Sequence, residues 1–188
     1  MKKSKGILLV LMICLAFCGC SGAKKQSDNS HIVTEENLVS KYAQFEVTSE
    51  NVKKGKWDKI ISNTDNGENK SPQLSWEPVE NAKVYAIYMV DVNMQHFIHW
   101  KSYEVKETNL PLGWASSSDY FGPWPPKKAT HTYDVYVIAL KNPVERMKGS
   151  VNGRTEKMQE FIDAADIDAE GNTGNIISCG HLSATFTN

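Results

Sequence analysis

The sequence predicts a mainly β protein with one helix toward its C-terminus. Three observations carry that expectation. First, the runs Val84 to Asp91 (VYAIYMVD), Phe97 to Val105 (FIHWKSYEV) and Tyr133 to Leu140 (YDVYVIAL) are rich in β-branched and aromatic residues, the chemistry of strands. Second, the gaps carry turn formers, in NTDNGENKSP, NLPLG, FGPWPP and KNPV. Third, strands do not alternate with helices, so a parallel α/β layout is not expected.

The elements follow in order. Residues 1 to 19 read as a targeting segment: Lys2, Lys3 and Lys5 precede an apolar stretch, ILLVLMICLAFC, at residues 7 to 18. That stretch is too short for a spanning helix, which needs ~20 residues, and it suits a secretory signal. Gly19 followed by Cys20 resembles a bacterial lipoprotein cleavage site, with Phe17 in place of the usual Leu. Cys20 would then carry lipid and fix the chain outside the cytoplasmic membrane. Residues 20 to 40 read as the lipidated cysteine and a polar tether, and residues 41 to 188 as the domain. A short helix from Thr34 is allowed, and Phe45 to Val52 reads as the first strand. Val84 to Asp91 is apolar on both faces, as a strand covered on both sides should be. Met158, Phe161, Ile162 and Ala165 recur at helical spacing, which predicts a helix from Arg154 to Ala165 capped by Asn152 or Thr155. DIDAEGNTGN is a loop, and CGHLSATF returns to a sheet.

Composition narrows the function classes. Hydrophobic residues make up 40% and charged residues 23%, enough for a packed core. The net charge is −1, and loss of residues 1 to 19 leaves 18 bases against 22 acids, or −4. Without a basic stripe, nucleic acid is a poor partner. Cys179 is the one cysteine of the domain, so no internal disulfide can form there. It reads as a small buried hydrophobe.

The stretch DYFGPWPPKKATHTYDVYV, residues 119 to 137, points to a site. A proline-stiffened turn leads into a strand on which His131 and Tyr133, two apart, share a face. Such a pair beside a loop of restricted shape suits gripping a small polar or anionic group. Asp91 ends a strand whose same-face residues are Ile87 and Met89, so its carboxylate sits at the rim of an apolar face and needs hydrogen-bond partners. A solvent-facing strand-end acid is the plainer alternative. His99 lies inside an apolar run and reads either as a pocket member or as a core histidine bonded to a carbonyl. His96 reads as a loop residue. On a strand, the two imidazoles of His96 and His99 should face opposite ways, which argues against a zinc site built from both. In NGENKSPQLSW, Gly67 can adopt positive φ, Asn69 can bond its own backbone and Pro72 fixes φ.

NGENKSPQLSW, VYAIYMVDVN, FIHW, GPWPP and HTYDVYVIAL, in that order, resemble the phosphatidylethanolamine-binding protein family, also called the Raf kinase inhibitor-like family, in its bacterial branch. The resemblance spans roughly residues 43 to 188. It implies the antiparallel sandwich of that family and a small surface cavity for anionic groups such as phosphate or phosphoryl headgroups. It implies ligand-binding roles for Asp91, His99, His131 and Tyr133, and sets Trp124 near the cavity mouth through its backbone. The family pattern D-P-D-x-P keeps Asp91 but has Val92 and Asn93 at its next two positions. H-R-Y has Thr132 in place of the arginine. Asp65 and Asn66 stand where bacterial members commonly have cysteine and aspartate. These departures are expected to alter ligand preference at the edges of the pocket.

The function expected is therefore a non-catalytic, lipid-anchored binding protein for a small anionic ligand, needing no cofactor and no metal. Asp91 would favour protonated His99 and His131, which with Tyr133 would donate to a phosphoryl oxygen. Affinity would then fall above neutral pH. The alternatives are a protease-inhibitory or other protein-interaction module, a hydrolase using the acid–base residues or Cys179 with His181, and a transition-metal site of two histidines and a carboxylate.

Overall fold

A computed structural model describes residues 37–188, so the targeting segment, Cys20 and most of the tether lie outside the described residues. The strands are β1 (Gln44–Phe45), β2 (Val52–Lys53), β3 (Lys56–Trp57), β4 (Leu74–Ser75), β5 (Val84–Asp91), β6 (Phe97–Val105), β7 (Asn109–Leu110), β8 (Thr130–Leu140) and, after helix α1 (Met158–Asp163), β9 (Ile176–Thr187). Seven strands form one sheet in the order β2-β3-β9-β8-β5-β6, with β1 also on β9, while β4 and β7 pair separately.

The sheet is mixed, which corrects the antiparallel sandwich expected from the sequence. β5, β6, β8 and β9 pair antiparallel, but the short β1 and β3 both run parallel to β9. Two-residue edge segments carry too little pattern to reveal direction. Phe45 to Val52 is not one strand either. Its residues divide between β1, an isolated bridge of Thr48 to Ser75, and β2.

Alternation along the central strands sorts the core into two layers. Tyr85, Ile87 and Met89 of β5 and Val135, Val137 and Ala139 of β8 pack on one face with Trp57, Leu74, Trp100 and Leu110. Val84, Ala86, Tyr88 and Val90, with Tyr136, Ile138 and Leu140, pack on the other against Val39, Met147, Met158 and Ile162. Both faces are covered, which explains the unbroken apolar run of β5. Cys179 is fully buried in the second layer, and that desolvation pushes its thiol up to about 12.

The helix is shorter than its periodicity suggests. Asn152 and Arg154 belong to a preceding segment that docks on β6, through Asn152 N–H to the Ile98 carbonyl at 2.9 Å and Ile98 N–H to the Gly153 carbonyl at 2.8 Å. Asn152 is held at φ 67°, which no helix accepts. Thr155 does act near the start, its hydroxyl accepting from Lys157 N–H at 2.9 Å. A 3-10 turn, Ala164–Asp166, follows the helix.

Candidate ligand-binding site

The site lies where the first core layer ends. Asp91 continues the row of Ile87 and Met89. Tyr133, its direct partner on β8, continues the row of Val135 and Val137, and Phe97 of β6 stands opposite Asp91 on the other side. Three strands thus present one residue each to a common row. Beyond it, the chain turns through a 3-10 turn, Val92–Met94, which the Asp91 carboxylate stabilises by accepting from Asn93 N–H at 2.9 Å.

His99, two residues from Phe97, sits on this face at a β-bulge. Met89 pairs with Trp100 and Val90 with Ile98, so His99 is the extra residue of β6. Its ring lies 4.8 Å from that of Phe97 and 5.2 Å from that of Tyr133 between centroids. Counted from Phe97, alternation already places His99 on this face, and the bulge turns Trp100 toward it as well; His96 stands outside the strand at φ 46°. No group of residues suited to a metal ion occurs among the described residues.

The opposite wall comes from the GPWPP loop. Gly122 is pressed so closely on the Ile61 carbonyl that a Cβ there has no room. Asn69, at φ 52°, accepts from Gly122 N–H at 2.7 Å, and Asn63 N–H donates to the Pro123 carbonyl at 3.0 Å. Asn69 thus ties NGENKSP to GPWPP and does not bond its own turn. Gly67 lacks the positive φ expected of it; its bare Cα lets the chain pass against Ser62.

Polar contacts are closely specified. His131 Nδ1–H donates to Asp91 Oδ2 at 2.6 Å. Asn93, where the family has its second acid, accepts from Thr132 N–H at 2.7 Å and splices the turn to β8. His99 Nδ1–H donates to the Phe121 carbonyl at 2.6 Å, which leaves Nε2 as a lone pair in the neutral ring. Burial pushes His99 down to about 4, outweighing the Phe121 carbonyl and the Asp91 charge that favour its proton. His99 therefore carries no charge near neutrality, contrary to the expected pair of protonated imidazoles. The buried Tyr133 hydroxyl has no well-formed hydrogen bond, and burial followed by the Asp91 charge raises it above the ordinary phenol range.

A cavity of about 300 Å³ opens here, lined by Asp91, Met94, Phe97, His99, Phe121, Trp124, Asn152 and Arg154. Asp91 and His99 are 2% and 3% exposed and form its inner end, whereas Trp124, 64% exposed, stands at the mouth. His131 and Tyr133 sit behind Asp91 and His99, with ring centroids 6.5 Å apart, and are not part of the lining. The four polar residues singled out from the sequence do meet at one place. Sequence reasoning missed Phe97, Phe121 and Arg154. Arg154 was hidden by its assignment to the helix, and Phe97 and Phe121 carry no local signal beyond apolarity.

Residues 30–177 match the family model described as phosphatidylethanolamine-binding protein. The chain belongs to the phosphatidylethanolamine-binding protein family. Solved structures agree in fold. A phosphatidylethanolamine-binding protein homologue from Chlamydia trachomatis is 23% identical with a TM-score of 0.56, over 77% of this chain and 98% of that one. YbcL of E. coli, described as a new member of the mammalian phosphatidylethanolamine-binding protein family, is 22% identical with a TM-score of 0.57, over 78% of this chain and 99% of that one. No curated protein sequence matches the chain. Within this phosphatidylethanolamine-binding protein fold, the cavity differs from a simple anion cradle: Arg154 is its one cationic lining side chain other than the titratable His99.

Proposed function

We propose that the protein is a non-catalytic binder of a small phosphoryl-bearing headgroup, held outside the cytoplasmic membrane by lipid on Cys20. The observation that supports it is the cavity itself: largely apolar walls with a few polar groups at defined positions, the usual make-up of a small-ligand site. Arg154 supplies the positive charge. It is exposed at the mouth, and no carboxylate pairs with it among the described residues. A guanidinium can meet phosphoryl oxygens two at a time. It takes the role that the sequence reading gave to protonated histidines.

Asp91 organises the site through His131 and the Asn93 turn. Its two oxygens are occupied by those contacts, which suits a positioning role. A Cys179 nucleophile gains no support, because the thiol is buried and raised to about 12. Calorimetric titration of phosphate into wild-type and Arg154→Gln protein tests the ligand reading. Saturable binding that weakens at least fivefold in the variant is expected, and equal binding by both would refute the role of Arg154. Anchoring is tested by fractionation. Cys20→Ser should move the protein from the membrane to the soluble fraction.

A further inference from the structure

A second cavity, of about 340 Å³, shares no residue with the first and is lined by Lys101, Tyr103, Arg146, Met147, Lys148 and Gly149. Three of those six residues are cations and none is an acid, in a chain whose net charge is −1. The segment after β8 builds one wall. Val144 and Met147 sink into the second core layer, while Arg146 and Lys148, on either side of Met147, stay exposed. Hydrogen bonds hold that segment against the sheet. The Tyr88 hydroxyl donates to the Lys148 carbonyl at 2.8 Å, and the Lys101 ammonium donates to the Gly149 carbonyl at 2.5 Å and to the Met147 carbonyl at 3.5 Å. Gly149, at φ 71°, is pressed against Ile98 and Phe161, where a Cβ has no room. Lys101 and Tyr103 of the outer strand β6 supply the other wall.

The charges of this cavity are not balanced from within the protein. Neither Arg146 nor Lys148 pairs with a carboxylate among the described residues. Glu145 lines an adjoining cavity and not this one. Desolvation lowers the Lys101 amine from its ordinary range; Asp119 opposes that shift and the Arg146 charge adds to it. An anion seated between Lys101 and Arg146 would relieve their repulsion. Two carbonyls use two of the three N–H groups of Lys101, and the third is left for a ligand. We propose that this cavity is a second anion site, separate from the first, for a dianionic oxyanion: a phosphoryl or sulfuryl group, free or carried as an ester. Arg146 offers paired N–H donors to two oxygens at once, and Lys101 and Lys148 act as point charges. Tyr103, 40% exposed, offers a ring face and a hydroxyl at the rim. Three positive charges favour a dianion over a carboxylate. The site is independent of what the first cavity binds.

The experiment is calorimetry at pH 7.5 and fixed ionic strength on full-length Arg154→Gln protein in detergent, a background that lacks the cation of the first cavity. The probes are inorganic phosphate, sulfate, phenyl phosphate and acetate. Phosphate and sulfate are expected to bind saturably, at least about fivefold more tightly than acetate. Arg146→Gln and Lys148→Gln, at exposed positions where folding is not at stake, should each weaken phosphate about fivefold. Lys53→Gln, on β2 at the opposite edge of the sheet, removes the same charge and should leave phosphate binding unchanged. Acetate binding as tightly as phosphate would overturn the site. So would phosphate binding indifferent to both Arg146→Gln and Lys148→Gln, or a loss matched by Lys53→Gln. Phosphate binding in wild type but none in Arg154→Gln protein would overturn this site and keep the anion reading of the first. Phenyl phosphate separates the sources. Tighter binding than phosphate assigns an ester seated on Tyr103, and equal or weaker binding assigns the free ion.

Discussion

A histidine–carboxylate–tyrosine set lies on each face of the sheet, shared between β8 and a neighbouring strand, and the two sets are built differently. On the front, His131 bonds Asp91 at 2.6 Å, and Tyr133 is left without a well-formed hydrogen bond beside a cavity. On the back, His181 pairs with Asp134 at 3.0 Å, Tyr136 donates to the same carboxylate oxygen at 3.1 Å, and the Tyr136 and His181 rings stack with centroids 5.0 Å apart at 10°. The back set is tied together across β8 and β9 through one oxygen of Asp134, its other oxygen being buried without a hydrogen-bond partner. The front set is propped from behind and faces space. The same three residue types thus serve cohesion in one place and a binding site in the other. What decides is whether the neighbouring chain fills the space or, like the GPWPP loop, arches over it.

The comparison is broken most directly by removing each carboxylate. Asp91→Ala and Asp134→Ala should each cost roughly 3 kcal/mol in denaturant unfolding, since each strands a hydrogen-bonded imidazole. Only Asp91→Ala should also lose phosphocholine binding, by more than tenfold. Loss of binding in both would mean that the two faces are coupled.

Acid should separate them next. Burial holds His99 at about 4, below the ~6.5 of an unfolded histidine, so the unfolded chain takes up that proton first. The front therefore has its full stability above pH ~6.5 and loses roughly 3 kcal/mol as pH falls toward 4, at about 1.4 kcal/mol per unit. Asp134 is raised by burial but lowered on balance by His181, Ser183 and Tyr136, so its contribution is kept until pH drops below the ordinary carboxylate range. Unfolding midpoints measured from pH 7 to 4 should fall more steeply in wild type than in His99→Gln. Identical slopes would remove burial of His99 as the cause.

Smaller effects sharpen the role of the loop. Gly122→Ala forces a Cβ onto the Ile61 carbonyl and should cost about 2 kcal/mol while weakening ligand. Thr155→Ala removes the hydroxyl that accepts from Lys157 and should cost under about 1 kcal/mol, with ligand affinity unchanged.

Strand chemistry made the fold legible. β5 and β6 occur with the bounds expected, β5 as a continuous apolar run and β6 as an aromatic-rich one. The short edge strands and their parallel pairing to β9 were not legible, since two residues carry no periodicity. At the site, Asp91, His131 and Tyr133 could be brought together from strand parity and the family resemblance. His99 shares the parity of Phe97, whereas the bulge that brings Trp100 to the same face left no mark in the sequence. Arg154 needed knowledge that its segment docks on β6 and does not start a helix. The charge state of His99 was misjudged because burial, invisible in sequence, outweighs the carboxylate nearby.

The central claim is that this cavity binds a phosphoryl headgroup, and a crystal structure of the protein soaked with phosphocholine at pH 7.5 tests it most directly. The account predicts density within the cavity, with the phosphoryl group against Arg154. An empty cavity at saturating phosphocholine, or a ligand bound on another face, would contradict it.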